Sequence, residues 1–304
     1  MTHIDTAEMS GDAELVIAEA IAGRRDDIFL VSKVLPSNAS RRGTIAACER
    51  SLTRLKTDRL DCYLLHWRGS YPLPETVAAF EELVSAGKIR SWGVSNFDAD
   101  DLREMLAVAG KGKIACNQVL YHLQERAIEH AVIPWCKQHG VAVVAYSPFG
   151  HNDFPKVRSK GGEVLQTIAD AHGASPRQVA LSFLTREAFV FAIPKASSQE
   201  HAADNAAAGK LTLSPDEIAA LDKASARAQT AQSADAVADT VLNKVFQRRR
   251  QVAAPATARC RVGDGKRRVG DDELPRWLRW AVACNRAYRL PVFGPCRCRL
   301  IIVF

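Results

Sequence analysis

The sequence predicts an α/β fold: a (β/α)8 barrel of the TIM type that lacks its first strand and helix and carries an irregular basic tail. Three observations lead there. Short apolar runs alternate with stretches of helical periodicity from Met1 to Ala224, the pattern a parallel sheet with helical crossovers requires. Each run ends on a polar group, as when the C-terminal rim of a barrel carries the chemistry; an open sheet gathers its ligands mainly at one switch point. The dinucleotide fingerprint GxGxxG of such open sheets is missing.

The elements follow in order. Met1 to Thr6 reads as the end of a strand that stops on Asp5. Asp12 to Gly23 places Leu15, Ala18, Ile21 and Ala22 on one helical face, with Gly23 as C-cap. Ile28 to Lys33 is a strand. Ser40 to Leu55 is a helix with Asn38 or Ser40 as N-cap, and Leu60 to Leu65 is a strand ending on His66. Pro74 to Ala86 is a helix, Ile89 to Val94 a strand ending on Ser95-Asn96, and Asp100 to Ala109 a helix. Ile114 to Cys116 leads into Asn117-Gln118. Arg126 to His139 reads as helix, Val141 to Ala145 as a buried strand ending on Tyr146-Ser147-Pro148, and Asn152 to Lys160 as loop. Two helices follow, Glu163 to His172 and Pro176 to Arg186; the second opens on Ser175-Pro176-Arg177-Gln178, a capping box with proline at N1. Ala188 to Ile193 is a strand ending on Pro194-Lys195. Glu200 to Ala207 is a helix, and a last one starts at Ser214-Pro215-Asp216-Glu217. Seven strands are visible, one short of a closed barrel.

Charge separates the chain into two parts. Residues 1–224 hold 25 Lys and Arg against 28 Asp and Glu, a balance of −3; residues 225–304 hold 16 against 6, a balance of +10. The body therefore gives no electrostatic reason to expect nucleic acid. No apolar run approaches the roughly 20 residues of a membrane span. The N-terminus shows no basic-then-apolar leader pattern, which points to a cytoplasmic location. The eight cysteines include no CxxC pairs at zinc spacing, so reduced thiols and no metal are expected.

Asp5, Lys33 and His66 end three successive strands. Neighbouring strands lie about 4.8 Å apart, so these side chains can meet at one mouth. There Asp5 would keep Lys33 charged, Lys33 would lower the pKa of a nearby acid or polarise a carbonyl, and His66 would donate to a substrate oxygen. The competing reading is a rim ion pair beside a satisfied histidine.

At these residues the chain resembles the aldo-keto reductases. The matching stretches are Ile4-Asp5-Thr6-Ala7-Glu8-Met9, Phe29-Leu30-Val31-Ser32-Lys33, Asp61-Cys62-Tyr63-Leu64-Leu65-His66-Trp67, Gly93-Val94-Ser95-Asn96-Phe97, Asn117-Gln118, Ala145-Tyr146-Ser147-Pro148 and Ile193-Pro194-Lys195. They run in family order and spacing from Met1 to about Ala224. The resemblance implies a (β/α)8 barrel that binds NADPH in extended form and reduces aldehydes or ketones. It implies a tetrad of Asp, Tyr, Lys and His, of which Asp5, Lys33 and His66 match. It implies that Ser95, Asn96 and Gln118 hydrogen-bond the nicotinamide carboxamide and that Tyr146 stacks on its ring. Ser147, Pro148, Phe149 and Gly150 would approach the pyrophosphate, Lys195 and Ser198 the 2′-phosphate, and Asp204 and Asn205 the adenine. His201 stands where many members carry an arginine, and a neutral imidazole holds phosphate less well than a guanidinium.

Three departures qualify that picture. The family tyrosine follows the Asp-Thr-Ala-Glu-Met run; here the position holds Ser10, a shorter and much weaker acid. The family has a further strand and helix ahead of this point, so an opened barrel with exposed edges is expected. The resemblance stops near Ala224, and residues 225–304 read as an Arg/Ala-rich tail, disordered or poorly packed, whose basic clusters and tryptophans admit a nucleic-acid arm as a lesser reading. A truncated start, a lost tyrosine and an unrelated end together fit a damaged reading frame. The function expected is an NADP(H)-linked reductase of small aldehydes and ketones, impaired at Ser10. The alternative is a non-catalytic NADP(H)-binding protein or a decayed member of the family.

Overall fold

The computed structural model describes residues 3–225 and the short strand Ile302–Val303. Seven parallel strands follow one another around a nearly closed barrel: β1 (His3–Asp5), β2 (Phe29–Val34), β3 (Leu60–Leu65), β4 (Ile89–Ser95), β5 (Ile114–Leu120), β6 (Ala142–Tyr146) and β7 (Val190–Ile193). Each pairs in parallel with the next in sequence. A short strand, β8 (Ile302–Val303), pairs in parallel with the far side of β1, giving the order β7-β6-β5-β4-β3-β2-β1-β8. The seven expected strands are all present. The expectation for the tail falls on residues 226–301 and 304, which lie outside the described residues.

Helices occupy the crossovers: α1 (Ala13–Ala20), α2 (Arg41–Leu55), α3 (Leu73–Ser85), α4 (Ala99–Ala109), α5 (Val132–His139), α6 (Lys160–His172), α7 (Pro176–Leu184), α8 (Gln199–Ala207) and α9 (Pro215–Ala224). Their ends are chemically specified. Ser40 caps α2 by accepting from the Gly43 amide, and Asp98 caps α4 by accepting from Asp100 and Asp101. Both expected capping boxes form, Ser175 with Gln178 on α7 and Ser214 with Glu217 on α9. Two helix starts differ from the sequence reading by more than one residue. The stretch expected to be one helix from Arg126 is a 3₁₀ turn (Ala127–Glu129) before α5, because Arg126 turns its guanidinium inward onto Glu129 and Asp222. The helix expected from Glu163 begins at Lys160, because Ser159 accepts from Gly162 and sets an earlier N-cap.

Period-2 alternation assigns each strand residue to one of two cores. Leu30, Tyr63, Leu65, Trp92, Val94, Val143 and Ala145 join the large cluster that holds Ala47, Leu52, Phe80 and Leu83 of the helices. The alternate residues Val31, Cys62 and Leu64, and Val144 with Ile193, form two small clusters inside the wall, with Cys116 packed against both. The register shifts between Trp92 and Val94. There Gly93 is required by contact: a Cβ on it would sit 2.5 Å from the Cys116 carbonyl and 3.1 Å from its sulfur. Cys48, Cys62, Cys116 and Cys136 are free thiols.

The outer core contains one polar liability. The Tyr63 ring packs edge-on to Phe80 at 5.9 Å and is fully buried, yet its hydroxyl has no hydrogen-bond partner. A buried unsatisfied hydroxyl costs about 1–3 kcal/mol. Tyr63→Phe is therefore expected to stabilise the protein by about 1 kcal/mol, raising Tm by roughly 2–4 °C at this size; calorimetry that showed a fall would mean the hydroxyl is bonded in solution.

Candidate active site

The strand ends converge as the sequence reading expected. Asp5 at the end of β1 and Lys33 in β2 are both buried and form an ion pair. Lys33 Nζ also donates to the Thr6 carbonyl at 2.9 Å. The second Asp5 oxygen accepts from Gln118 Nε2 of β5 at 2.8 Å, across the barrel mouth. Both carboxylate oxygens are thus satisfied, which a buried charge requires.

His66 follows β3 at the same rim. Its backbone amide donates to Val34 at 3.0 Å, and its carbonyl accepts from Asn96 Nδ2 at 3.1 Å. The ring lies against Trp67, centroids 4.9 Å apart. Burial, and then the Lys33 charge, push its pKa down to about 3. The imidazole is neutral at working pH, and its Nδ1 is buried without a partner. A neutral ring with one N–H can donate to a carbonyl oxygen but cannot act as an acid.

The remaining rim residues form a connected set. Ser95 Oγ donates to the Gln118 carbonyl at 2.8 Å. Asn96 adopts a left-handed backbone, φ 59°, and so turns its amide back into the mouth. Its Nδ2 reaches Ser95 Oγ at 3.2 Å and its Oδ1 accepts from the Tyr146 hydroxyl at 2.9 Å. Burial raises the Tyr146 pKa, so this phenol stays protonated. Beyond it Ser147 is also left-handed, φ 49°, and its carbonyl accepts from Gly150 at 2.8 Å, closing a tight loop. Pro148 is buried. Phe149 and Phe154 meet edge to face, and Arg177 lies over both rings.

The rest of the predicted set divides. Lys195 and Ser198 are exposed at the end of β7 and the N-terminus of α8, where Ser198 Oγ accepts from the His201 amide at 3.2 Å. His201 is exposed. The Asp204 carboxylate accepts from Ser175 and Gln178 of α7. Asn205 is buried. Ser10 is exposed on the turn after β1; its backbone amide donates to Ala7, and its side chain makes no hydrogen bond among the described residues. None of the four described tyrosines replaces a phenol beside Lys33. Tyr63 faces the helices, Tyr71 is exposed, Tyr121 donates to Glu129 and Tyr146 to Asn96.

Two carboxylates were not singled out from sequence. Glu8 accepts from the Leu35 amide at 2.6 Å, from Asn38 and from Arg50, and so braces the loop after β2 that carries Lys33. Glu14 is fully buried and accepts from Ser32 Oγ at 2.9 Å and Arg54 Nε at 3.2 Å. Glu8 lies within the Asp-Thr-Ala-Glu-Met run, the signal that could have marked it. Thr6 Oγ1, beside the ion pair, is buried without a partner.

The neutral histidines give a pH dependence of stability. His3, its ring tilted against Phe29 with centroids 4.8 Å apart, is held down to about 4 by burial, as His66 is to about 3. Both folded values lie below the unfolded value near 6.5, so stability is complete above pH 6.5 and is lost as pH falls towards 4. At pH 4.5 each histidine is expected to cost about 1 kcal/mol after discounting for partial exposure. Tm should be lower at pH 4.5 than at pH 7, and His66→Gln should reduce that fall in part, since His3 and His122 are also held down by burial.

A parallel barrel with an Asp–Lys pair, a neutral histidine and an amide-rich rim at the strand C-termini is an enzyme-type fold with its polar groups on the catalytic face. Residues 1–226 match the Aldo/keto reductase family, and the chain belongs to that family. It is 49% identical over 226 residues to methylglyoxal reductase YeaE of Escherichia coli K12, covering 74% of this chain and 80% of the relative. It is 35% identical over 198 residues to glyoxal reductase of Bacillus subtilis, covering 65% and 68%. Among solved structures, an aldo-keto reductase of Klebsiella pneumoniae in complex with NADPH superposes with a TM-score of 0.72 at 45% identity, covering 77% of this chain and 83% of that one.

Proposed function

We propose that this chain binds NADP(H) across the barrel rim and reduces small aldehydes and ketones, 1,2-dicarbonyls such as methylglyoxal among them, at a rate held down by the absence of a phenol at position 10. The observation that carries the reading is the Lys33–Asp5–Gln118 network beside neutral His66. It is supported by similarity to methylglyoxal and glyoxal reductases and to a structure that contains NADPH.

The residues fit the cofactor. Lys195 is an exposed cation with no hydrogen bond or ion pair among the described residues, next to the N-terminus of α8. Oriented amides and a free ammonium suit a phosphate there. Gln118 commits its Nε2 to Asp5 and keeps its carbonyl oxygen to accept from a carboxamide. Bound NADPH would supply the hydride to the carbonyl carbon. His66 would donate its one N–H to the substrate oxygen and orient it. Lys33, ion-paired with Asp5, would stabilise negative charge developing on that oxygen. The proton that completes the alcohol would come from water, because Ser10 is exposed and no phenol stands beside Lys33 among the described residues. Tyr146, bonded to Asn96, would offer its ring face to the nicotinamide. A cytoplasmic location suits this chemistry.

The exposed, unbonded Ser10 side chain favours a second reading, a protein that binds NADP(H) without turnover. Titration of the full chain with NADPH by fluorescence, followed by addition of methylglyoxal, separates the two. Binding with carbonyl-dependent NADPH oxidation supports the first. Binding without oxidation supports the second, and no binding overturns both.

A further inference from the structure

β1 has two edges, and the backbone assigns residues to each. The Thr6 amide donates to the Val31 carbonyl at 2.9 Å, so the even-numbered positions of this segment face β2. Alternation turns the N–H and C=O of His3 and Asp5 to the other edge. On that edge lies β8, parallel, with Ile302 opposite Ile4 and Val303 opposite Asp5.

We propose that this edge of β1 is a docking strip for one apolar strand, that Ile302 and Val303 of this chain occupy it, and that their pairing fixes the backbone presenting Asp5. The occupant has the composition of a strand: Leu300-Ile301-Ile302-Val303-Phe304 carries three β-branched residues and no glycine, proline or charge. No other five-residue window after Ala224 holds three β-branched residues without a charged one. The pairing is parallel, the sense of every other ladder in the wall. An unpaired edge presents a row of free donors and acceptors, and a three-residue strand bonded on one side only frays. Asp5 is the residue that cannot fray without consequence, because its two oxygens hold Lys33 and Gln118. The tail's terminal strand is thereby tied to the catalytic rim through backbone hydrogen bonds rather than through any side chain.

Amide hydrogen exchange of the full chain tests this. The Asp5 amide is expected to exchange about as slowly as the Ile4 amide, which faces β2. In a chain ending at Arg299, Asp5 exchange should rise at least tenfold while Tyr63 in β3 is unchanged. Ile302→Pro, which removes a ladder donor without shortening the chain, should do the same. Added peptide Arg-Leu-Ile-Ile-Val-Phe should restore protection to the shortened chain. Fast Asp5 exchange in the intact protein overturns the proposal whatever the variants do. So does protection that survives both variants, or protection lost on dilution of the intact chain, which would place a second copy on the strip.

Discussion

Ser10→Tyr is expected to raise kcat/KM for methylglyoxal by about 10- to 100-fold, with NADPH affinity unchanged. A positioned general acid contributes on the order of 10²–10⁴ in rate, equivalent to roughly 3–5 kcal/mol of barrier. The gain should fall short of that range because Ser10 lies exposed on a turn next to Gly11, φ +63°, rather than over the Lys33 ammonium. A phenol there has to swing inward, and some of its benefit is lost in ordering the turn. Once seated it would sit beside Lys33, a charge that favours the phenolate and eases proton release. Ser10→Phe supplies equal bulk without the hydroxyl and should leave the rate unchanged. An equal rise in both variants would trace the effect to packing or water exclusion and would remove position 10 from the chemistry. The rise should appear in kcat, since the proton is transferred only in the transition state.

The polar ends of the strands were legible because a parallel strand buried on both faces reads as an apolar run, and its first polar residue marks where the wall meets the rim. That rule locates Asp5, Lys33, His66 and Asn96. It did not show how they are wired. Gln118 bonds Asp5 across 113 residues of sequence, and no local pattern encodes a contact that closure of the wall creates. Asn96 reads as a strand terminus, yet its left-handed backbone is what turns its amide onto His66 and Tyr146. Asp204 shows the converse. On a helix beside Lys195 it suits a ligand contact, and no local pattern shows that α7 offers it two donors, Ser175 and Gln178. The strand at Ile302–Val303 was not read from sequence either, because two residues far from any helix period give no crossover signal.

Lys33→Met is the substitution expected to cost the most stability. The Lys33 and Asp5 side chains are only 5% and 3% exposed, so removing the ammonium leaves a carboxylate buried with Gln118 as its one remaining partner. Breaking one side of a buried pair costs about 3–5 kcal/mol, a large share of the 5–15 kcal/mol typical of a domain. Asp5→Asn should cost less, because Lys33 keeps the Thr6 carbonyl at 2.9 Å and Asn retains an acceptor for Gln118. In the double variant no uncompensated charge is left, and Met covers the apolar wall that the lysine stem covered. Its stability should return to within about 1–2 kcal/mol of the parent, a coupling energy of at least about 2 kcal/mol by a double-mutant cycle in urea. All three variants should lose carbonyl turnover. That combination, stability recovered without activity, would show that the pair is retained for the charge it holds at the rim. Additive costs in the cycle would instead mean that water already reaches the two charges, and with it that the mouth is wetter than 5% and 3% exposure describe.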